Sequence, residues 1–129
     1  MAPLLSTSAE AAAHERRLLD RLLGLYAEQE RLYAEVLDLS RRQRDLVRQG
    51  APLSEVRAVL EQKKARLETI GRLDLTEAAY KDQWRAGRRG WSVGGRTRLH
   101  GALEAVGQVI EDILACEQEN DRELLQQSR

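Results

Sequence analysis

Phenylalanine is absent from the chain, cysteine and methionine occur once each, and proline occurs twice. A lone cysteine, Cys116, excludes an internal disulfide. So few prolines leave long stretches free of helix breakers, and with aromatic residues at 4% the core must be built from aliphatic side chains. No run approaches the roughly 18 consecutive apolar residues of a membrane span, so membrane insertion is not expected. The N-terminal "MAPLLSTSAEAAAHERR" has no basic segment ahead of an apolar run and does not read as a secretory signal, which makes the cytoplasm the expected location. Net charge is also missing. Lysine plus arginine equals aspartate plus glutamate at 21 each, so no overall field draws the chain to nucleic acid.

What is present is Leu, Ala, Glu, Arg and Gln in helical order. From Leu18, alternate steps of four and three reach Leu22, Leu25, Gln29, Leu32, Val36, Leu39, Gln43 and Leu46. Leu19, Tyr26, Tyr33 and Val47 widen that seam into a face broad enough for two neighbours. The spacing predicts a first helix over 8–48, on the order of 60 Å long. "RQGAPLSE" ends it, because Gly50 can take the left-handed capping conformation and Pro52 cannot continue a helix but can begin one.

The short loop implies an antiparallel hairpin. The second helix, 53–84, places Leu53, Val56, Leu60, Lys63, Leu67 and Ile70 on one side, with Val59 and Leu73 alongside. "DLTE" offers Asp74 as an N-cap with Glu77 three residues on, so the helix either breaks near 74 or runs through. Past a connector at 85–96 the period returns as Leu99, Leu103, Val106, Ile110, Ile113, Glu117, Asn120 and Leu124, a third helix over 97–127. The fold class is therefore all-α and the chain one domain: a long antiparallel hairpin plus a third long helix, as a three-helix bundle or an open coiled-coil-like arrangement. The seam residues Gln29, Gln43, Glu117 and Asn120 are costly in a dry core and are expected where the bundle is wet or open.

Charge is unevenly placed. Residues 85–103 hold five arginines and no acid, while 104–129 hold seven acids against two arginines. The basic segment sits in "WRAGRRGWSVGGRTRLHG" with both tryptophans. Arg85, Arg88, Arg89, Arg96 and Arg98 beside Trp84 and Trp91 match the charge-plus-stacking recipe for single-stranded nucleic acid. The plainer expectation is a joint. Gly87, Gly90, Gly94 and Gly95 supply a bend, Trp84 and Trp91 pack to limit it, and the result is a hinge that sets where the third helix lies.

Catalytic constellations do not emerge. His14 and His100 have no companions at metal-ligand spacing, and His100 and Glu104, one turn apart, read as a surface pair. Cys116 stands near Glu117 and Glu119, surroundings that raise a thiol pKa, and it reads as structural. "EQENDRE" lacks the glycine and ligand alternation of a calcium loop and reads as a solvated helix end. "WSVGGRTR" lacks the spacing and the Lys-Ser/Thr pair of a phosphate loop. No metal, no cofactor and no enzymatic activity are expected.

The segments "LLGLYAEQERLYAEVLDLSRRQRDLVRQG", "VLEQKKARLETIGRLD" and "GALEAVGQVIEDILACEQENDRELL", about four fifths of the chain, resemble the FlgN family of bacterial flagellar export chaperones. The likeness rests on the leucine-rich first helix, the break after "LVRQG", the second helix around "LEQKKARL" and the last helix ending in "NDRELL". It implies a cytosolic chaperone that holds hook-filament junction proteins, FlgK- and FlgL-like, by their C-terminal helical segments, and hands them to the flagellar type III export apparatus. A helix-in-groove complex needs an apolar stripe at i, i+3, i+4 and i+7. On the third helix Leu103, Val106, Ile110, Ile113 and Leu124 are the expected client contacts, with Asn120 setting register. Two alternatives stand beside this one: a coiled-coil homo-oligomer paired through Leu18, Leu25, Leu32, Leu39 and Leu46, and a nucleic-acid binder acting through the Arg/Trp segment.

Overall fold

The computed structural model describes residues 2–87 and 89–127. Four helices and no strand occur among them: α1 (Ala2–Arg48), α2 (Leu53–Thr76), α3 (Ala78–Gly87) and α4 (Val93–Gln127). The molecule is all-α, as the periodicity predicts.

Direction follows from the side-chain pairs. On the way back along α1, Lys63 meets Gln43, Asp74 meets Gln29 and Glu77 meets Arg21, so α2 and α3 run antiparallel to it. Ser92 meets Glu15, Glu117 meets Ser40 and Glu123 meets Arg48, so α4 runs parallel to α1. The order is up, down, up. At 47 residues α1 is about 70 Å long and forms the spine on which both arms lie. Its wide seam is buried on two sides, with Leu18, Leu19, Leu22, Leu25, Leu32, Val36, Leu37 and Val47 all enclosed. Each fully buried leucine or valine stabilises by roughly 1.5–3 kcal/mol, which gives α1 the means to hold two neighbours. The leucine ladder that a coiled-coil oligomer would use is thus covered within one chain at Leu18, Leu25 and Leu32, and half-buried at Leu39 and Leu46.

The first joint follows the sequence. Gly50 takes φ +67°, Ala51 N–H donates to the Leu46 carbonyl at 2.9 Å and Gly50 N–H to that of Val47 at 3.1 Å, a Schellman closure. Pro52 sits one residue ahead of α2, at φ −56° and ψ 144°. The second helix is interrupted at Glu77 rather than at Asp74. Glu77, at φ −97° and ψ 4°, donates its N–H to the Leu73 carbonyl, and its own carbonyl accepts from Tyr80 and Lys81 to start α3. The carboxylate of Glu77 takes two bonds from Arg21, at 2.9 and 3.2 Å, and Arg21 lies 4.3 Å over the Tyr80 ring. Asp74 is not a cap because its carboxylate is engaged by Gln29 and Lys81.

The connector is shorter than the 85–96 expected, since α3 continues to Gly87 and α4 already begins at Val93. Ser92 explains the early start. Its Oγ accepts from Gly95 N–H at 3.0 Å, the bond of an N-cap to the third helical residue. A capping box would place Glu at that third position to hold the Ser N–H. Here Gly95 occupies it, and Glu15 of α1 supplies the carboxylate, accepting from both the Ser92 N–H and its hydroxyl. A Cβ on Gly95 would lie 3.1 Å from Ser92 Oγ and 3.4 Å from Glu15 Oε2, so the missing side chain makes room for the borrowed acid.

None of Gly87, Gly90, Gly94 and Gly95 takes positive φ. Gly94 is exposed in the first turn of α4 with open space around it, while Gly90 donates to the Gly87 carbonyl at 2.8 Å. Gly87 is where the Trp91 ring lies. Trp91 stacks on Trp84 with centroids 4.8 Å apart, and its Nε1–H donates to the Trp84 carbonyl at 2.6 Å. Trp84 in turn closes a core with Leu18, Leu19, Leu22, Leu25 and Leu99. The tryptophans pack that end of the bundle, as expected of the joint. Trp84 is buried, and Trp91, half-buried, lays one face on it. Of the arginines, Arg85 pairs with Asp82, Arg89, Arg96 and Arg98 are exposed, and Arg88 lies outside the described residues.

A Cβ at position 87 would lie within 3.0 Å of Trp91 Cζ2, Cε2 and Cη2, and overpacking of this kind costs about 1–3 kcal/mol, more than the helix propensity that alanine gains over glycine. Gly87→Ala is therefore expected to lower the urea midpoint and shift tryptophan emission to the red; unchanged values would mean that the stacked pair does not hold the joint.

Candidate helix-binding cleft

The two arms share α1 but do not close on each other. Among the described residues no Cα of α4 comes within 8 Å of one in α2 or α3. A furrow therefore runs along the molecule between them, with α1 as its floor. Its middle is a cleft of about 330 Å³ lined by Tyr33 and Val36 from α1, Lys63 and Leu67 from α2, and Ile110, Ile113, Leu114 and Glu117 from α4.

Heptad spacing explains the lining. On α4 the series Leu99, Val106, Ile113 and Asn120 points at α1, and Leu99, Val106 and Asn120 are buried there. The series Leu103, Ile110, Glu117 and Leu124 lies one step round and faces the furrow, with Leu103 at 43% and Leu124 at 44% exposure. Leu114, at 58%, stands beside Ile110. On α2, Val56, Val59, Lys63 and Ile70 are buried, whereas Leu53, Leu60 and Leu67, seven residues apart, are 67%, 44% and 48% exposed. The structure thus divides the six residues expected to touch a client. Leu103 and Leu124 are exposed on the open face, and Ile110 and Ile113, both half-buried, line the cleft. Val106 and Asn120 are not available, since they form the α1–α4 contact. Leu67 and Leu114 line the cleft as well and were not among the expected contacts, because a helical wheel shows that α2 has an apolar side but not which neighbour that side meets.

Two polar layers brace the walls. In the first, Gln29 donates to Asp74 at 2.7 Å and Lys81 donates to the same carboxylate at 2.6 Å. Burial works to raise the Asp74 pKa, but the hydrogen bonds from Lys81 and Gln29, with the charge of Lys81, outweigh it and hold the carboxyl below its ordinary value. In the second, the buried Lys63 ammonium donates to Gln43 at 2.9 Å and to Glu117, which also accepts from Ser40 Oγ–H at 2.5 Å. Asn120 Nδ2 donates to the Ser40 carbonyl at 3.0 Å. The seam residues read as open places are instead buried or half-buried and hydrogen-bonded, as polar groups in an interior usually are, except that the Asn120 Oδ1 is buried without a partner.

The acidic end of α4 is likewise not a free solvated end, since Arg48 donates to Glu123 at 2.6 Å and Arg44 lies 3.6 Å from Glu119. Burial pushes the Cys116 thiol up against the opposing charge of Arg44, and Glu117 and Glu119 add to the rise, so the thiol is protonated at neutral pH and packs as an apolar group.

A larger opening between α1 and α3 is lined by His14, Arg17, Leu18, Asp20, Arg21, Tyr80 and Gln83. Its charges are of both signs and Arg21 is already bound to Glu77, so nothing there converges on one ligand. His100 and Glu104 pair on the surface at 2.8 Å, as the spacing predicts. Among the described residues no three His, Cys, Asp or Glu side chains group to hold a metal, and no helix is long and apolar enough to cross a membrane. No protein-family model matches the chain, and neither the curated proteins nor the solved structures contain a significant match.

Two outcomes test the layers. Because the folded pKa of Asp74 lies below its unfolded value, its contribution is complete above about pH 4 and is lost as pH falls through the depressed value. Asp74→Asn should therefore lower the melting temperature at pH 7, and the difference from the wild type should shrink as the pH is lowered below the ordinary carboxylate range. At the second layer, Lys63→Met alone strands Glu117 and should destabilise by about 2–4 kcal/mol, while Lys63→Met with Glu117→Met should recover most of that loss in urea unfolding.

Proposed function

We propose that the protein is a non-enzymatic chaperone or adaptor that holds an amphipathic helix of a client in the furrow between α2 and α4. The observation that carries this is the separation of the two arms over α1, with exposed leucines on both walls and a floor of Tyr33 and Val36. Three helices up, down and up leave the place of a fourth vacant. A helix entering there would find anchors repeating along both walls, the arrangement by which grooves read i, i+3, i+4 and i+7 side chains.

The sequence resemblance to the FlgN family supplies the kind of client: the C-terminal helical segment of a hook-filament junction protein, kept from self-association in the cytoplasm until the flagellar type III apparatus takes it. Capture and release by burial need no covalent step. The client contacts are Leu67, Leu103, Ile110, Leu114 and Leu124, with Ile113 at the border. Val106 and Asn120 act earlier, by seating α4 on α1 so that the wall exists.

The test separates wall from core. Leu67→Ser with Leu114→Ser changes two exposed residues and should weaken capture of a fluorescent client C-terminal peptide at least tenfold, with the melting temperature within a few degrees of the wild type. Val106→Ser should instead cost on the order of 2–4 kcal/mol of stability. Peptide binding that survives the Leu67/Leu114 change would remove the furrow as the client site.

A further inference from the structure

We propose that the same open face binds a second copy of this chain, α2 of one against α4 of the other, closing a ring of four antiparallel helices about a two-fold axis parallel to them. Leu53, Leu60 and Leu67 on one wall, with Leu103, Leu114 and Leu124 on the other, are each between 43% and 67% exposed. Together they leave on the order of 500 Å² of apolar surface in water, at the upper end of the largest patch a monomer usually carries.

Charge selects the occupant. Along α2, Arg57 and Lys64 alternate with the three leucines; both are exposed and neither makes an ion pair among the described residues. Glu61 and Glu68 lie further round, past the rim. On α4 the position equivalent to Arg57 and Lys64 holds Asp121, between Glu117 and Leu124, exposed and likewise without an ion pair among the described residues, while Glu111, one residue past Ile110, lies further round as Glu61 and Glu68 do on α2. The α2 rim offers two bases and the α4 rim one acid, so rotation about that axis sets opposite charges against each other, as an isologous contact requires.

The levels agree as well. Residue 63 is level with 117 in an antiparallel pair, so Arg57 is level with Glu123 and Lys64 with Cys116, and Asp121 falls between them. Rotation about an axis parallel to the helices keeps levels. It therefore brings the partner's Arg57 and the partner's Lys64 to either side of Asp121, and does the reverse at the mirrored site. The footprint is sufficient: α2 is 24 residues, or about 36 Å, and two helices are about 20 Å across, giving about 700 Å² per copy and about 1,400 Å² in all. This pairing differs from one through the leucine ladder of α1, which is covered within the monomer. It does not depend on a client; where a client helix also binds, the two compete for one face.

Sedimentation equilibrium of the full chain from 1 to 500 µM tests it. The wild type should dimerise in that range. Arg57→Glu with Lys64→Glu makes both rims acidic, and Asp121→Lys makes both basic. Each variant should weaken self-association at least tenfold without changing helicity or melting temperature, and mixing the two proteins should restore a heterodimer. A wild type that stays monomeric, a dimer unaffected by either variant, or a mixture that fails to associate each overturns the proposal. A monomer that still captures the client peptide loses the dimer and keeps the client furrow; a dimer that captures no peptide does the opposite.

Discussion

A buried ammonium is expensive to desolvate unless acceptors surround it, and Lys63 is surrounded from both neighbouring elements, by Gln43 of α1 and Glu117 of α4. That contact joins three helices at one level. It fixes how far α2 and α4 stand apart, because the two long side chains span the gap that the backbones leave. Ser40 and Asn120 complete the layer, so the Glu117 carboxylate is held from two sides while Asn120 binds the α1 backbone. A leucine-only seam at this level would let the arms collapse together or slide. The polar layer holds the furrow at one width and one register, and the surface available to a partner depends on it.

The sequence made the helices legible because their period runs unbroken for many turns, and the Gly50–Pro52 joint legible because each residue there has one local use. The division of α4 into a buried series and an open series was not legible. Both series are apolar at the same spacing, and only the position of α1 distinguishes Val106 from Ile110. The pairing of Gln29, Gln43, Glu117 and Asn120 was hidden for a related reason: a polar residue on an apolar seam signals either an opening or a matched partner, and the partners lie 20 to 80 residues away. The start of α4 shows the same limit more sharply. Ser92 alone is an ordinary N-cap, but "SVGG" carries no acid to complete the cap, and Glu15 that supplies it lies 77 residues earlier.

Closed packing and open apolar surface divide along the molecule. At the connector end Trp84, Trp91 and Leu99 close on α1 and leave little for a partner. Over the cleft floored by Tyr33 and Val36, Leu67 and Leu114 stay at the surface, where a further helix would make them core. The chain stands at the edge of completeness as a bundle, stable enough through its spine to hold the remaining place open.

The cap from Glu15 to Ser92 has a consequence for motion. The side-chain hydrogen bonds that tie α4 and its cap to α1 join residues at similar separations, 77 at Glu15–Ser92 and Ser40–Glu117, 75 at Arg48–Glu123 and 80 at Ser40–Asn120. Two parallel helices with heptad seams form a rail along which one can slip by seven residues, about 10 Å, and find apolar surface again. Here the rail is pinned at both ends. The borrowed carboxylate marks one register at the N-terminal end of α4 and the Arg48 fork marks the same one near the other, so a seven-residue slip would have to break both.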